Sequence, residues 1–207
     1  MDINITILLI LMSYLTGAFP SAFIVGKSFF NIDIRQHGSG NAGATNTFRV
    51  LGKVAGTIVL IIDVFKGWLV VNFVYLFSSI NINPELIFEY QLLFGVFAVV
   101  GHLFPVYTRF RGGKGIATLL GLLIGLHSFS AFVSCMVFIT VLLAFRYVSL
   151  ASIFSAIAFP IIIYFFSESS DVSLIIFSIF VPLLALSTHH KNIRRLLRGQ
   201  ERKIKFK

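Results

Sequence analysis

Gly115 to Phe145 reads GIATLLGLLIGLHSFSAFVSCMVFITVLLAF, thirty-one residues without a charge between Lys114 and Arg146. A helix that crosses a membrane needs about 20 apolar residues, so the run is too long for one upright crossing and too short for two full ones. Charge decides between them. With one crossing, the basic tail from Lys191 to Lys207 falls on the opposite side of the membrane from the basic loops around Arg35 and Arg111. That runs against the tendency of Lys and Arg to stay on the cytoplasmic side. Two short helices, at 115–127 and 130–146 with a turn near His127 and Ser128, keep the basic segments together.

Composition extends this reading to the whole chain. With 57% hydrophobic residues, 12% charged residues and a mean hydropathy of +0.93, the 207 residues fall in the class of polytopic membrane proteins. We expect an all-α integral membrane protein, a single polytopic domain over 1–207, with helices at 3–25, 54–80, 86–108, 115–127, 130–146, 148–166 and 173–188. Seven transmembrane helices place the N-terminus outside and the C-terminus in the cytoplasm. Sixteen of the seventeen Lys and Arg residues then face the cytoplasm, and Lys66 is the one inside the membrane. Asp2, Glu85, Glu89, Glu168 and Asp171 lie on the outer side, with no Lys or Arg beside them. The first apolar run has no basic segment before it and no small-residue cleavage site, so it reads as a retained helix. The net charge of +9 is explained by topology and anionic lipid headgroups, which removes the need for a nucleic-acid partner. Cys135 is the only cysteine, which excludes an intrachain disulfide or a cysteine metal cluster.

The chemistry must therefore sit in three polar segments expected on the cytoplasmic side, at 37–53, 101–118 and 189–204. The first contains Gly38-Ser-Gly-Asn-Ala-Gly-Ala-Thr-Asn-Thr-Phe-Arg49, read as a loop that holds a phosphate. Its glycines let backbone approach a ligand, Ser39, Thr45 and Asn46 offer donors, and Arg49 adds a permanent forked cation. In the second, Gly112, Gly113 and Gly115 around Lys114 suggest backbone folded against an anion at a helix N-terminus. His102 precedes them at the inner end of the third helix, where it either binds a polar ligand or bonds a carbonyl. The third segment sets Ile193, Leu196 and Leu197 at amphipathic spacing among basic residues, so it is expected to lie along the membrane surface.

Other signatures are set aside. Gly38 to Gly43 satisfies G-x-G-x-x-G, but it follows a membrane helix and no strand, so the dinucleotide context is missing. Neither glycine segment has the arrangement of a nucleotide-hydrolysing P-loop, and the adjacent His189 and His190 cannot face one metal from a regular helix. We expect no metal and no cofactor. Asp63 and Lys66, three residues apart inside the second helix, read as a structural ion pair.

Taken together, these segments resemble the bacterial acyl-phosphate:glycerol-3-phosphate acyltransferases of the PlsY type, over nearly the whole chain. The resemblance is carried by Ser39-Gly40-Asn41 to Arg49, by Gly101-His102 to Thr118, and by the tail pattern of His189, Asn192, Ile193, Arg195, Leu196, Gly199 and Glu201. His190 and Gln200 depart from the usual residues at permissive positions. The resemblance implies seven crossings with an external N-terminus. It implies acyl phosphate and glycerol 3-phosphate as substrates, lysophosphatidic acid and inorganic phosphate as products, and a location in the bacterial inner membrane. By motif match, Ser39 and His189 are expected to be catalytic. Asn41, Thr45, Asn46, Arg49, His102, Gly112, Gly113, Lys114, Gly115, Asn192, Arg195 and Glu201 are expected to bind substrate or phosphate. Partners are the two substrates and membrane lipids, with the oligomeric state left open, a monomer included. A transporter for a phosphorylated anion would also gather glycines and cations. It more often places its site at the membrane midplane, whereas these segments cluster on one side.

Overall fold

The computed structural model describes residues 1–76, 83–166 and 172–204. The end of the expected second helix at 77–80, Glu168, Asp171, Lys205 and Lys207 lie outside the described residues. The described residues form the helices α1 (Ile3–Ala18), α2 (Ser21–Phe30), α3 (Ala44–Leu51), α4 (Lys53–Val71), α5 (Phe73–Leu76), α6 (Ile87–Leu103), α7 (Ile116–Leu126), α8 (Ser128–Phe145), α9 (Val148–Phe166), α10 (Val172–Thr188) and α11 (His190–Leu197), joined by turns and loops. The charge-free run thus forms two helices that part at His127, near the expected ends. The His127 ring accepts a bond from the Ser130 N–H at 3.3 Å and caps α8.

Four expectations change. The helix at 3–25 is broken into α1 and α2 with a bend of 42°, because Pro20 has no N–H to give and its ring drives Phe19 out of helical geometry. The helix at 54–80 starts one residue early and ends at Val71, where Asn72 caps it before the four-residue α5. The helix at 86–108 closes at Leu103, just before Phe104, which Pro105 keeps out of the α region. The second half of the Gly38–Arg49 segment is helix and not loop. After Gly43 nothing breaks the chain until Gly52, and α3 buries Asn46 and Thr47 on one side.

Two compact units divide the chain, Met1–Leu126 and His127–Lys207. In the first, α1 packs on α6 and α4 packs on both α6 and α7. Small residues set these approaches: a Cβ on Gly17 would strike the Ala98 backbone, and one on Gly121 would strike the Val64 carbonyl. Without a difference in hydrophobicity between lipid and side chain, close backbone contact is a main source of helix association in membranes. Leu9, Val70, Phe73, Val74, Phe94 and Ala98 form one core, and Ala22, Val25, Ile34, Ala55 and Val59 form a second. In the second unit α9 packs on α8 and α10, with Phe159 edge-on to Phe177 at 6.3 Å.

Outer faces are apolar. Tyr164 is 81% exposed, Phe165 70% and Ile3 68%. Among the described residues four stretches are long and apolar enough to cross a membrane, and the bent pairs α1–α2 and α10–α11 raise the number to six. At 11 residues α7 is a shorter apolar helix.

Candidate active site

The first unit builds its polar site around one amide. Asn46, 1% exposed, accepts from the Ser39 N–H at 2.8 Å and donates to the carbonyls of Ile34 at 3.1 Å and His37 at 3.0 Å. Its three hydrogen bonds hold the turn that carries Ser39. Gly38 must be glycine here, since its φ is +65° and a Cβ would overlap the Asn46 oxygen. The pinned turn leaves Ser39 exposed and Asn41 half-buried. Gly43 then begins α3, and its carbonyl receives the N–H groups of Asn46 and Thr47 at 3.1 Å each. The first N–H groups of α3 have no intrahelical partner, so this end carries partial positive charge. Thr45 and Arg49, four residues apart, share a face of α3 and are both half-buried.

Asn46→Ala removes the three hydrogen bonds that tie the Ser39 N–H to the Ile34 and His37 carbonyls, each worth about 0.5–1.5 kcal/mol. We expect a lowered melting temperature together with reduced activity. Unchanged melting would show that the amide does not hold the turn.

Behind the turn, Asp33 caps a short 3-10 turn and grips Arg35 in a fork, Nε to Oδ1 at 3.0 Å and Nη2 to Oδ2 at 2.8 Å. The guanidinium holds the Asp33 carboxyl below the usual carboxylate range, and the carboxylate raises Arg35. Both stay ionised at neutral pH.

The second glycine segment folds against the end of α6. The Gly113 N–H donates to the His102 carbonyl at 3.2 Å. A Cβ on Gly112 would overlap that carbonyl, and one on Gly113 would overlap the His102 ring and come within 3.1 Å of the Ala42 carbonyl. Gly113 is therefore wedged between α6 and the first polar segment, so the structure brings two of the expected segments together. Gly115, at φ +78°, turns the chain into α7, with half-buried Lys114 just before it.

Below this wedge is a buried charge cluster. Asp63 Oδ1 lies 2.8 Å from Lys66 Nζ, 2.7 Å from Ser21 Oγ and 3.6 Å from His102 Nδ1, while Lys66 also donates to the Phe19 carbonyl at 3.2 Å. The expected Asp63–Lys66 pair is present, and it reaches three further elements. Pro20 explains the last contact, since the break after α1 leaves the Phe19 carbonyl without a helical partner. A small cavity joins the levels, lined by Ala42, Lys66, His102, Thr108, Gly112 and Gly113 among others. His102 thus faces both the cluster and the glycine wedge, but sequence offered no sign of Ser21 or Phe19.

The second unit holds the remaining candidates. His189, 3% exposed, sets Nδ1 2.8 Å from the Ala185 carbonyl. A carbonyl only accepts, so Nδ1 carries the proton in this bond. Glu201 Oε1 accepts from Asn192 Nδ2 at 2.7 Å and from Ser149 Oγ at 3.0 Å, and Arg195 stands 3.9 Å from Oε2. Lys203 over the Tyr147 ring and the Ile204 N–H on the Arg146 carbonyl fasten the tail beside the start of α9. The amphipathic stretch is helical, as α11, bent 64° from α10, with Ile193 and Leu196 half-buried and Leu197 exposed.

Profile, sequence and structure comparisons point to one family. The sequence profile of the glycerol-3-phosphate acyltransferase family matches residues 7–199. Glycerol-3-phosphate acyltransferases of Staphylococcus aureus strains Newman and JH9 are each 44% identical over 205 residues, covering 97% of this chain and 98% of the relative. Two crystal structures of PlsY (YgiH), an integral membrane glycerol 3-phosphate acyltransferase, superpose at 32% identity. The glycerol 3-phosphate form gives a TM-score of 0.85 over 97% of this chain and 96% of that one. The lysophosphatidic acid form gives 0.81 over 97% and 95%. Matched along almost its entire length by profile, sequence and fold, the chain belongs to the glycerol-3-phosphate acyltransferase family.

Proposed function

We propose that this chain moves a fatty acyl group from acyl phosphate to the 1-hydroxyl of glycerol 3-phosphate, giving lysophosphatidic acid and inorganic phosphate. The observation that carries this reading is the wedge of Gly112 and Gly113 against His102 and Ala42, which joins two cation-bearing glycine segments. Both substrates carry phosphate, and Lys114 and Arg49 suit two such groups. The hydroxyl oxygen attacks the acyl carbonyl carbon, the carbonyl-to-phosphate C–O bond breaks, and phosphate leaves with the bonding electrons. Phosphate needs little acid assistance as a leaving group, so positioning and charge stabilisation dominate. The hydroxyl proton goes to a phosphate oxygen of the substrates. Ser39, on its exposed turn, and Thr45 orient groups near the reacting carbonyl, with Asn41 beside them. Glu201 is engaged with Asn192 and Ser149, so its part is to orient Asn192, with Arg195 3.9 Å from its other oxygen.

The same reading gives seven crossings: the four long stretches, the two bent pairs and α7. The distribution of Lys and Arg then puts the N-terminus outside and the polar segments at the cytoplasmic face of the bacterial inner membrane. Purified protein given acyl phosphate and labelled glycerol 3-phosphate is expected to form labelled lysophosphatidic acid without coenzyme A. Product formed only from acyl-CoA would overturn the donor, and none from either would overturn the reaction.

A further inference from the structure

Beside the glycine wedge the first unit has a second opening, a cavity of about 470 Å³ lined by Asp33, Arg35, Gln36, Thr108, Arg109 and Arg111. Three guanidinium groups face one carboxylate there, and that carboxylate is already taken. Asp33 is held by Arg35, which also lies 4.8 Å above the Phe23 ring and donates to the Thr108 carbonyl at 3.3 Å. Arg109 and Arg111 are exposed, and among the described residues their side chains make no ion pair or hydrogen bond. Two unpartnered forked cations thus converge on a cavity whose floor is already immobilised.

The loop that carries them is rigid. Arg109 and Phe110 have φ of 54° and 60°, a left-handed geometry uncommon for residues with a side chain and an outlier for a bulky one. Bonds from the Phe110 N–H to the Pro105 carbonyl at 2.9 Å and from Thr108 Oγ1 to the Arg111 carbonyl at 3.1 Å hold it there. Such geometry persists only where surrounding contacts enforce it. Apolar side chains stand next to the charges: Val106, Tyr107 and Phe110 are 44%, 56% and 61% exposed. Aromatic rings beside basic residues match the boundary between headgroups and acyl chains.

We infer that this cavity holds the phosphate of an anionic membrane phospholipid, with Arg109 and Arg111 forked onto its oxygens and Tyr107 and Phe110 against its chains. The cavity is separate from the groups that handle the reacting phosphates. Thr108 and Arg111 nevertheless also line the small cavity under Gly112 and Gly113, so a bound lipid would border the glycine wedge.

Lipid retention tests this without reference to acyl transfer. The full chain in neutral detergent is offered phosphatidylglycerol or phosphatidylcholine, and bound lipid is counted by native mass spectrometry. We expect phosphatidylglycerol to be kept over phosphatidylcholine. Arg109→Gln/Arg111→Gln should lower that retention roughly tenfold, as loss of charge-assisted bonds implies. Arg194→Gln/Arg198→Gln, which removes the same charge from the exposed tail, should retain lipid like the parent. Arg111→Gln alone should give an intermediate loss and covers failure of the double variant to fold. Equal retention of both lipids, equal loss in the tail variant, or displacement by inorganic phosphate would each overturn the assignment. The last of these would make the cavity a site for free phosphate.

Discussion

Lys114→Ala and Arg49→Ala proteins are expected to elute and melt like the parent and to form lysophosphatidic acid at least about a hundredfold more slowly, the scale for removing one group that stabilises developing charge. Neither residue lies in a buried core: both are half-buried, Lys114 at the entry to α7 and Arg49 on the last turns of α3. Their loss therefore removes charge from the phosphates more than packing from the fold. The Lys114→Arg protein separates charge from shape. A planar fork is a poor substitute for a compact ammonium beside three glycines, so we expect partial rescue only. Full activity in either alanine variant would remove that residue from the proposed chemistry.

The second large effect is on stability. Asp63→Asn keeps a bond to Ser21 but leaves the Lys66 ammonium, 4% exposed, without its counter-charge. Breaking one side of a buried pair costs about 3–5 kcal/mol, because the remaining charge stays out of water. Asp63→Asn/Lys66→Met removes both charges at similar volume and should recover more than half of that loss. Denaturation of the purified proteins in detergent reads both values. If the double variant is no more stable than the single one, the cluster is not held together by charge balance.

How far sequence reached depended on whether the signal was local. The parting of α7 and α8 was legible because a charge-free run of fixed length admits few arrangements. Asp63 and Lys66 were legible as a pair because a separation of three residues fixes a shared helix face. Pro20 is local too, but the apolar run around it outweighed it, and the break in the first helix went unread. Helix α3 escaped because glycine, hydroxyl and amide residues signal a turn, while Asn46 and Thr47 turn inward only when the preceding segment folds over them. The side-chain hydrogen-bond partners of Asn46 and Glu201, and the partner of Asp63 outside its own helix, Ser21, lie 7 to 52 residues away in sequence. No periodicity announces such contacts. They exist only once helices have packed.

The brevity of α7 bears on where the reaction happens. Eleven residues rise about 16 Å, roughly half of a bilayer's hydrocarbon thickness, so in a seven-crossing arrangement its two ends cannot both reach water through an unperturbed membrane. Either the lipid thins around it or the Gly112–Gly115 turn sits below the headgroup plane. For the proposed reaction, a turn at that depth would let a water-soluble acceptor meet the acyl carbonyl without the fatty chain being lifted out of the bilayer.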